Sequence, residues 1–230
     1  MDDNAPTINL EQPVLFEWSD TSSGGVELFP AVWAAGEGLV APELEIRKVA
    51  FERLVALDAP RISPLIAYLL ATRISEPDLP LRAKIVHTLG ELFLINQQGK
   101  TAPELVRRFV IATLKQMRIR LLFSLLEVSV FDPTSEADIA RLLNFCPYAG
   151  LHLVDILADR KVILTLRLKA AQFIGLVGYL NAIPNLERLA TRLEARLSGQ
   201  QAMSFAPPAS SDESELLPVV LATLSALKVA

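Results

Sequence analysis

A hexapeptide pattern recurs and constrains the fold more than any other feature of this sequence. Pro42-Glu43-Leu44-Glu45-Ile46-Arg47 and Pro77-Asp78-Leu79-Pro80-Leu81-Arg82 superimpose at an offset of 35 residues. Each opens a stretch whose apolar residues return at helical spacing. The pairing of an aliphatic residue with arginine returns at Ile119-Arg120 and Leu166-Arg167. Counted from the arginine, position +3 is Ala50, Ile85, Phe123 or Ala170, and position +7 is Leu54, Leu89, Glu127 or Ile174. Only Glu127 breaks the register, which marks the Arg120 copy as the irregular one. Spacings of 35 to 47 residues between successive arginines fit a unit of two helices, which buries its apolar face only by stacking on its neighbours. The pattern predicts an all-α superhelix, a solenoid of about five helical pairs.

Turn chemistry divides the chain consistently with that unit. Breaks at Ala41-Pro42, Asp58-Ala59-Pro60, Glu76-Pro77-Asp78, Gln98-Gly99-Lys100, Asp132-Pro133-Thr134, Cys146-Pro147 and Ile183-Pro184 place helices over 30–39, 43–57, 61–73, 79–96, 102–116, 118–131, 135–145, 149–159, 163–180 and 184–198. Ser63-Pro64, Thr101-Ala102-Pro103-Glu104 and Thr134-Ser135-Glu136 supply capping hydroxyls, first-turn prolines and early carboxylates where a helix start leaves amides unpaired. Residues 1–28 lack a helical period and read as an acidic, largely extended arm with one apolar cluster, Val14-Leu15-Phe16 and Trp18. Residues 29–198 form the repeat domain. Residues 199–215 have linker composition, and the apolar segment 216–230 reads as a helix that either caps the stack or docks on a partner.

The segment running from Leu164 to Leu186, with Arg167, small Ala170 and Ala171, Leu176 and Gly178, and then Pro184 opening the next helix, resembles HEAT repeats of the short phycobilisome-lyase type within the armadillo-like helical class. The resemblance extends over roughly residues 42–198. It implies a structural role for the repeated arginines Arg47, Arg82, Arg120 and Arg167, linking neighbouring units; a phosphate-binding ladder is the functional alternative. It also implies, as one possible activity, a lyase or chaperone for a tetrapyrrole-carrying protein.

Composition narrows the function classes. Apolar residues make up 51% of 230 positions and mean hydropathy is +0.36, which demands a large core or an apolar surface that a partner covers. No segment reaches the ~20 uninterrupted apolar residues of a membrane-spanning helix. The acidic start Met1-Asp2-Asp3-Asn4, with no apolar run after it, points to a cytoplasmic protein. The single cysteine, Cys146, cannot form an internal disulfide or a thiolate metal cluster. No phosphate-cradling glycine loop, zinc-protease motif or nucleophile elbow is present. His87 and Glu91, four apart on one helix, could share a metal or a proton but equally suit a solvated face. The row His152, Asp155 and Asp159 lacks the ligand count of a known cation site. The expectation is a protein without catalytic residues, metal or cofactor.

Charge provides the remaining clue. Residues 1–45 hold nine acids and no base, whereas residues 46–202 hold 14 acids and 21 bases. From Leu105 through Leu126 there is no acid, and Arg107, Arg108, Lys115, Arg118 and Arg120 contribute +5. A second acid-free window, from Arg160 to Leu186, holds Arg160, Lys161, Arg167 and Lys169. Stacked repeats could align the two windows into one positive surface. That surface would bind a protein partner through an acidic segment, or nucleic-acid phosphates; a merely solvated face is the third possibility. The pI of about 5.3 and the few interleaved aromatics, Phe109 and Phe123, favour protein. The chain's own acidic arm is a competitor for the same surface.

Overall fold

Helix boundaries follow local chemistry closely. The computed structural model describes residues 25–95, 99, 101–199 and 211–229. Among these are twelve α-helices and no strand: α1 Gly25–Gly38, α2 Leu44–Ala56, α3 Ala59–Ile62, α4 Pro64–Thr72, α5 Leu79–Glu91, α6 Glu104–Leu114, α7 Ile119–Phe131, α8 Glu136–Leu143, α9 Ala149–Ala158, α10 Leu164–Val177, α11 Ile183–Leu197 and α12 Ser211–Val229. Short 3-10 turns at Arg73–Ser75, Pro133–Ser135 and Leu180–Ala182 join some of them. The Ser63 hydroxyl accepts from the Ile66 amide at 3.3 Å, and the Asp78 carboxylate accepts from the Leu81 amide at 3.0 Å, each with a first-turn proline beside it.

Several expected boundaries move, each for a local reason. The helix expected at 61–73 divides at Ser63, because Pro64 has no amide hydrogen to continue α3. The one expected at 43–57 closes at Ala56, and Asp58 turns the chain with φ 51°. Gly178, at φ 80°, ends α10 three residues before the expected 180, as only glycine takes this left-handed conformation without strain. The helix expected to run to 96 stops at Glu91, and Phe93 leaves it to meet Phe145 with ring centroids 4.5 Å apart. The first helix starts at Gly25, and the last at Ser211, inside the stretch read as linker. Residues 1–24 of the expected arm and 200–210 of the expected linker lie outside the described residues.

Lateral neighbours in space are α2, α5, α8, α10 and α12. Glu52 of α2 pairs with Lys84 of α5 at 3.1 Å. His87 of α5 meets Asp138 of α8 at 2.7 Å. Glu136 of α8 accepts from Lys169 and Gln172 of α10. The Thr223 hydroxyl of α12 donates to the Ala171 carbonyl of α10 at 3.2 Å. Behind this row, α4 packs on α6, α7 lies against α5, α9 and α10, and α11 closes on α12. The result is an all-α helical-repeat fold.

One buried stripe repeats along the row. Positions 0, +3, +4 and +7 are Arg47, Ala50, Phe51 and Leu54 in α2; Arg82, Ile85, Val86 and Leu89 in α5; and Arg167, Ala170, Ala171 and Ile174 in α10, all buried. The third member departs from the sequence expectation. The helix standing between α5 and α10 is α8 rather than α7, and its stripe is Ser135, Asp138, Ile139 and Leu142. Helix α7 instead buries Leu122, Leu125, Leu126, Val128 and Ser129, on more than one side. Arg120 falls outside both stripes.

Candidate functional site

Buried charge in this protein is organised as clamps, each centred on one carboxylate. Glu76, 1% exposed, accepts from Arg47 Nε at 3.1 Å and Nη2 at 2.7 Å, and from Arg73. Burial alone would raise the Glu76 carboxyl, but the hydrogen bonds from Arg47 and Arg73 outweigh it and hold the group below its ordinary range. Asp138, 4% exposed, pairs with His87 and Arg141. Glu213, 1% exposed, pairs with Arg160 and Arg196. These carboxylates had no place in the sequence reading. Their only signal was an acid where an apolar residue belongs, such as Asp138 at +3 of the α8 stripe.

The repeated arginines sort accordingly. Arg47 also donates to the carbonyls of Ala41 at 3.0 Å and Pro42 at 2.6 Å, tying down the turn before its own helix. Arg82 donates to the Glu76 carbonyl at 2.6 Å and pairs with Glu127. Glu127, the residue that broke the repeat register, is thus the partner of the preceding unit's arginine. Arg167, 3% exposed, donates to the Leu157 carbonyl at 2.9 Å. Burial lowers its pKa, against the opposing pull of Asp212 and Glu213. Arg120 is exposed, and its guanidinium makes no hydrogen bond or ion pair among the described residues, so it does not link units as the other three do.

The two basic windows meet different fates. In the second, Arg167 is interior, Arg160 is held by Glu213, and Lys169 bridges to Glu136 and Gln172; Lys161 alone is exposed and unpaired among the described residues. In the first, Arg108, Lys115, Arg118 and Arg120 are exposed and Arg107 is half-buried, and none of the five is ion-paired among the described residues. Of the nine candidates, those without a partner among the described residues therefore lie on α6 and the turn into α7, with Lys161 apart from them. The nine candidates do not pool into one free surface, because Glu213, the Leu157 carbonyl and Glu136 claim Arg160, Arg167 and Lys169 of the second group.

Beside that charge lies an apolar face missed by the sequence reading. Helix α4 turns Ile66, Ala67, Leu70 and Ala71 inward and leaves Leu65, at 49% exposure, and Tyr68, at 43%, on its outer side. Helix α6 buries Val106, Val110 and Leu114 and leaves Leu105 at 55% and Phe109 at 44%, with Arg108 between them. Each exposed pair lies one helical turn apart, and α4 packs directly on α6. Helix α4 carries no charged residue at all.

The remaining candidates serve the architecture. Cys146 is fully buried, and burial pushes its thiol pKa up, away from nucleophilic use. The Tyr179 hydroxyl donates to the carbonyls of Leu143 at 2.6 Å and Cys146 at 3.2 Å, and burial raises its pKa too. His87, besides Asp138, faces Glu91 at 3.4 Å. An open cleft of about 520 Å³ beside it includes Lys84, Phe131 and Asp132, but Lys84 is already paired with Glu52. His152 and Asp155 are 3.9 Å apart. No helix among the described residues is long and apolar enough to cross a membrane. Compared with known protein families, curated proteins and solved structures, the chain matches none.

Proposed function

We propose that this chain is a non-catalytic scaffold of the HEAT type that holds a protein partner on the outer face of α4 and α6. One observation carries the reading: Leu65, Tyr68, Leu105 and Phe109 are exposed on adjoining helices, next to Arg108, Lys115 and Arg118, which have no ion-pair partner among the described residues. Apolar anchors ringed by unspent charge are what a protein-binding face requires, the first for affinity and the second for rate and orientation. The positive sign selects an acidic segment of the partner. The buried carboxylates fit the same reading, since among the described residues Glu76, Asp138 and Glu213 are each engaged by two basic side chains. The proposed setting is the cytoplasm, where a lone buried thiol stays reduced.

The test compares partners retained by the wild-type chain with those retained by Leu105→Ser/Phe109→Ser and by Arg108→Glu. Both variants should keep the helical spectrum and lose the same partners. An unchanged partner set would sink the proposal. A second reading, nucleic-acid binding, draws on the unpaired Arg108, Lys115, Arg118 and Arg120. Under that reading duplex DNA binds at low salt, with log affinity falling linearly in log salt by about 0.9 per phosphate neutralised. Absence of binding at low salt removes it.

A further inference from the structure

The α4–α6 face needs an occupant that is acidic, carries large apolar side chains and lies within reach, and we infer that residues 11–20 of the same chain fill that role. The inference rests on the proposed function of that face and adds its regulation: the segment competes in cis with the partner. Residues 11–20, Glu-Gln-Pro-Val-Leu-Phe-Glu-Trp-Ser-Asp, combine three acids with Val14, Leu15, Phe16 and Trp18, and residues 1–24 contain no base. The face offers the complement. Leu65, Tyr68, Leu105 and Phe109 supply apolar area, and Arg108 and Lys115 supply charge, in a stretch from Leu105 through Leu126 that has no acid.

Reach is sufficient. Helix α1 begins after four intervening residues and abuts α4 through its last turn, for a Cβ placed on Gly36 would lie 3.2 Å from Ile66 Cδ1. Adjoining helices are spaced by about 8–10 Å, so α4 and α6 lie about one and two spacings from α1. Six residues separate Trp18 from Gly25, seven steps that extend up to ~24 Å, and Val14 can range farther. Another exposed apolar surface, formed by Val40, Ile46 and Val49 at the α1–α2 end, is nearer. Its neighbours are Glu37, Glu43, Glu45 and Glu52 against Lys48 and Arg53, so it is acidic on balance, whereas the α4–α6 face is basic. Charge therefore selects α4–α6 over the closer surface.

The experiment uses the full chain and a fluorescent synthetic peptide of residues 10–21. In the wild type the chain's own segment holds the face, and the peptide binds weakly. In Phe16→Ser/Trp18→Ser, which disables the segment in place, the peptide binds about tenfold tighter, as expected if the face is some 90% occupied in cis. Adding Arg108→Glu/Phe109→Ser to that variant abolishes peptide binding without changing the helical spectrum. Equal affinity for wild type and Phe16→Ser/Trp18→Ser overturns the inference, as does no binding by the latter. A wild-type chain that elutes as a dimer, and that Phe16→Ser/Trp18→Ser returns to monomer, would show the segment acting on a second copy and overturn the cis arrangement. If peptide binding fails while partner retention still depends on Arg108 and Phe109, the cis inference falls alone. If neither depends on those residues, the proposed function falls with it.

Discussion

At the residue scale, the carboxylates at the centres of the clamps matter more than the arginines that advertise the repeat. Removing one arginine leaves the carboxylate of a clamp its second cation, whereas removing the carboxylate leaves two cations without their anion. Glu76→Gln leaves Arg47 and Arg73 facing a neutral group in a nearly dry site, and breaking a buried pair in this way costs about 3–5 kcal/mol. Denaturant unfolding of the variant should show that loss. Arg82→Ala should cost about 1–3 kcal/mol because it leaves the Glu76 carbonyl unpaired, and Arg120→Ala should stay within about 0.5 kcal/mol. Equal losses for these two would contradict the register assigned to α8. His87 is raised above its ordinary value chiefly by its hydrogen bond to Asp138, against desolvation. A raised folded pKa contributes stability that is full below the unfolded value of about 6.5 and fades as pH rises through the folded value. Stability of the wild type should therefore decline from about pH 6.5 upward, and His87→Gln should flatten that part of the profile.

At the element scale, α8 and α12 show how a repeat copes with its irregular members. Helix α8 spans only Glu136–Leu143, and Ser135 stands at the anchor position in place of an arginine, its hydroxyl donating to the Asp132 carbonyl at 2.7 Å. Close approach compensates, since a Cβ on Gly90 of α5 would sit 2.5 Å from Asp138. Gly90→Ala must push α8 away from α5, and a loss of about 1–3 kcal/mol is expected in thermal or denaturant unfolding. Helix α12 buries Leu216, Val220, Leu224 and Leu227 against α10 and α11, and brings Glu213 to Arg160 and Arg196. Four such side chains contribute roughly 6 kcal/mol or more of apolar burial. Deleting residues 211–230 should therefore expose apolar surface, seen as a rise in bound hydrophobic dye and a lower thermal midpoint.

On the scale of the whole molecule, the clamps and the row of ion pairs tie each unit to the next, while Arg108, Lys115, Arg118 and Arg120 stay unpaired among the described residues on α6 and the turn into α7. This division separates charge that is met in buried clamps from an outer face whose charge is not. Salt should weaken partner binding at that face by screening Arg108, Lys115 and Arg118, and should leave folding stability nearly unchanged because the buried clamps are screened far less. Parallel titrations of binding and of unfolding from 50 mM to 500 mM salt separate the two, and parallel decline of both would contradict the partition.

The sequence by itself determined the helical class, most helix starts and the buried stripes of α2, α5 and α10, because periodicity, capping and proline act within a few residues. It also held the signs of the irregular unit, in Glu127 and in the departure at Arg120. Only the tertiary structure decided that α8 rather than α7 stands in the row, that Arg160, Arg167 and Lys169 find partners while Arg108 does not, and that Leu65 and Phe109 are exposed on helices packed together. Those outcomes depend on contacts between residues 33 to 53 positions apart, such as Lys169 with Glu136, Arg82 with Glu127 and Arg160 with Glu213. Local spacing carries no record of them, since a charge pattern is the same whether its partner lies in solvent or across a helix interface.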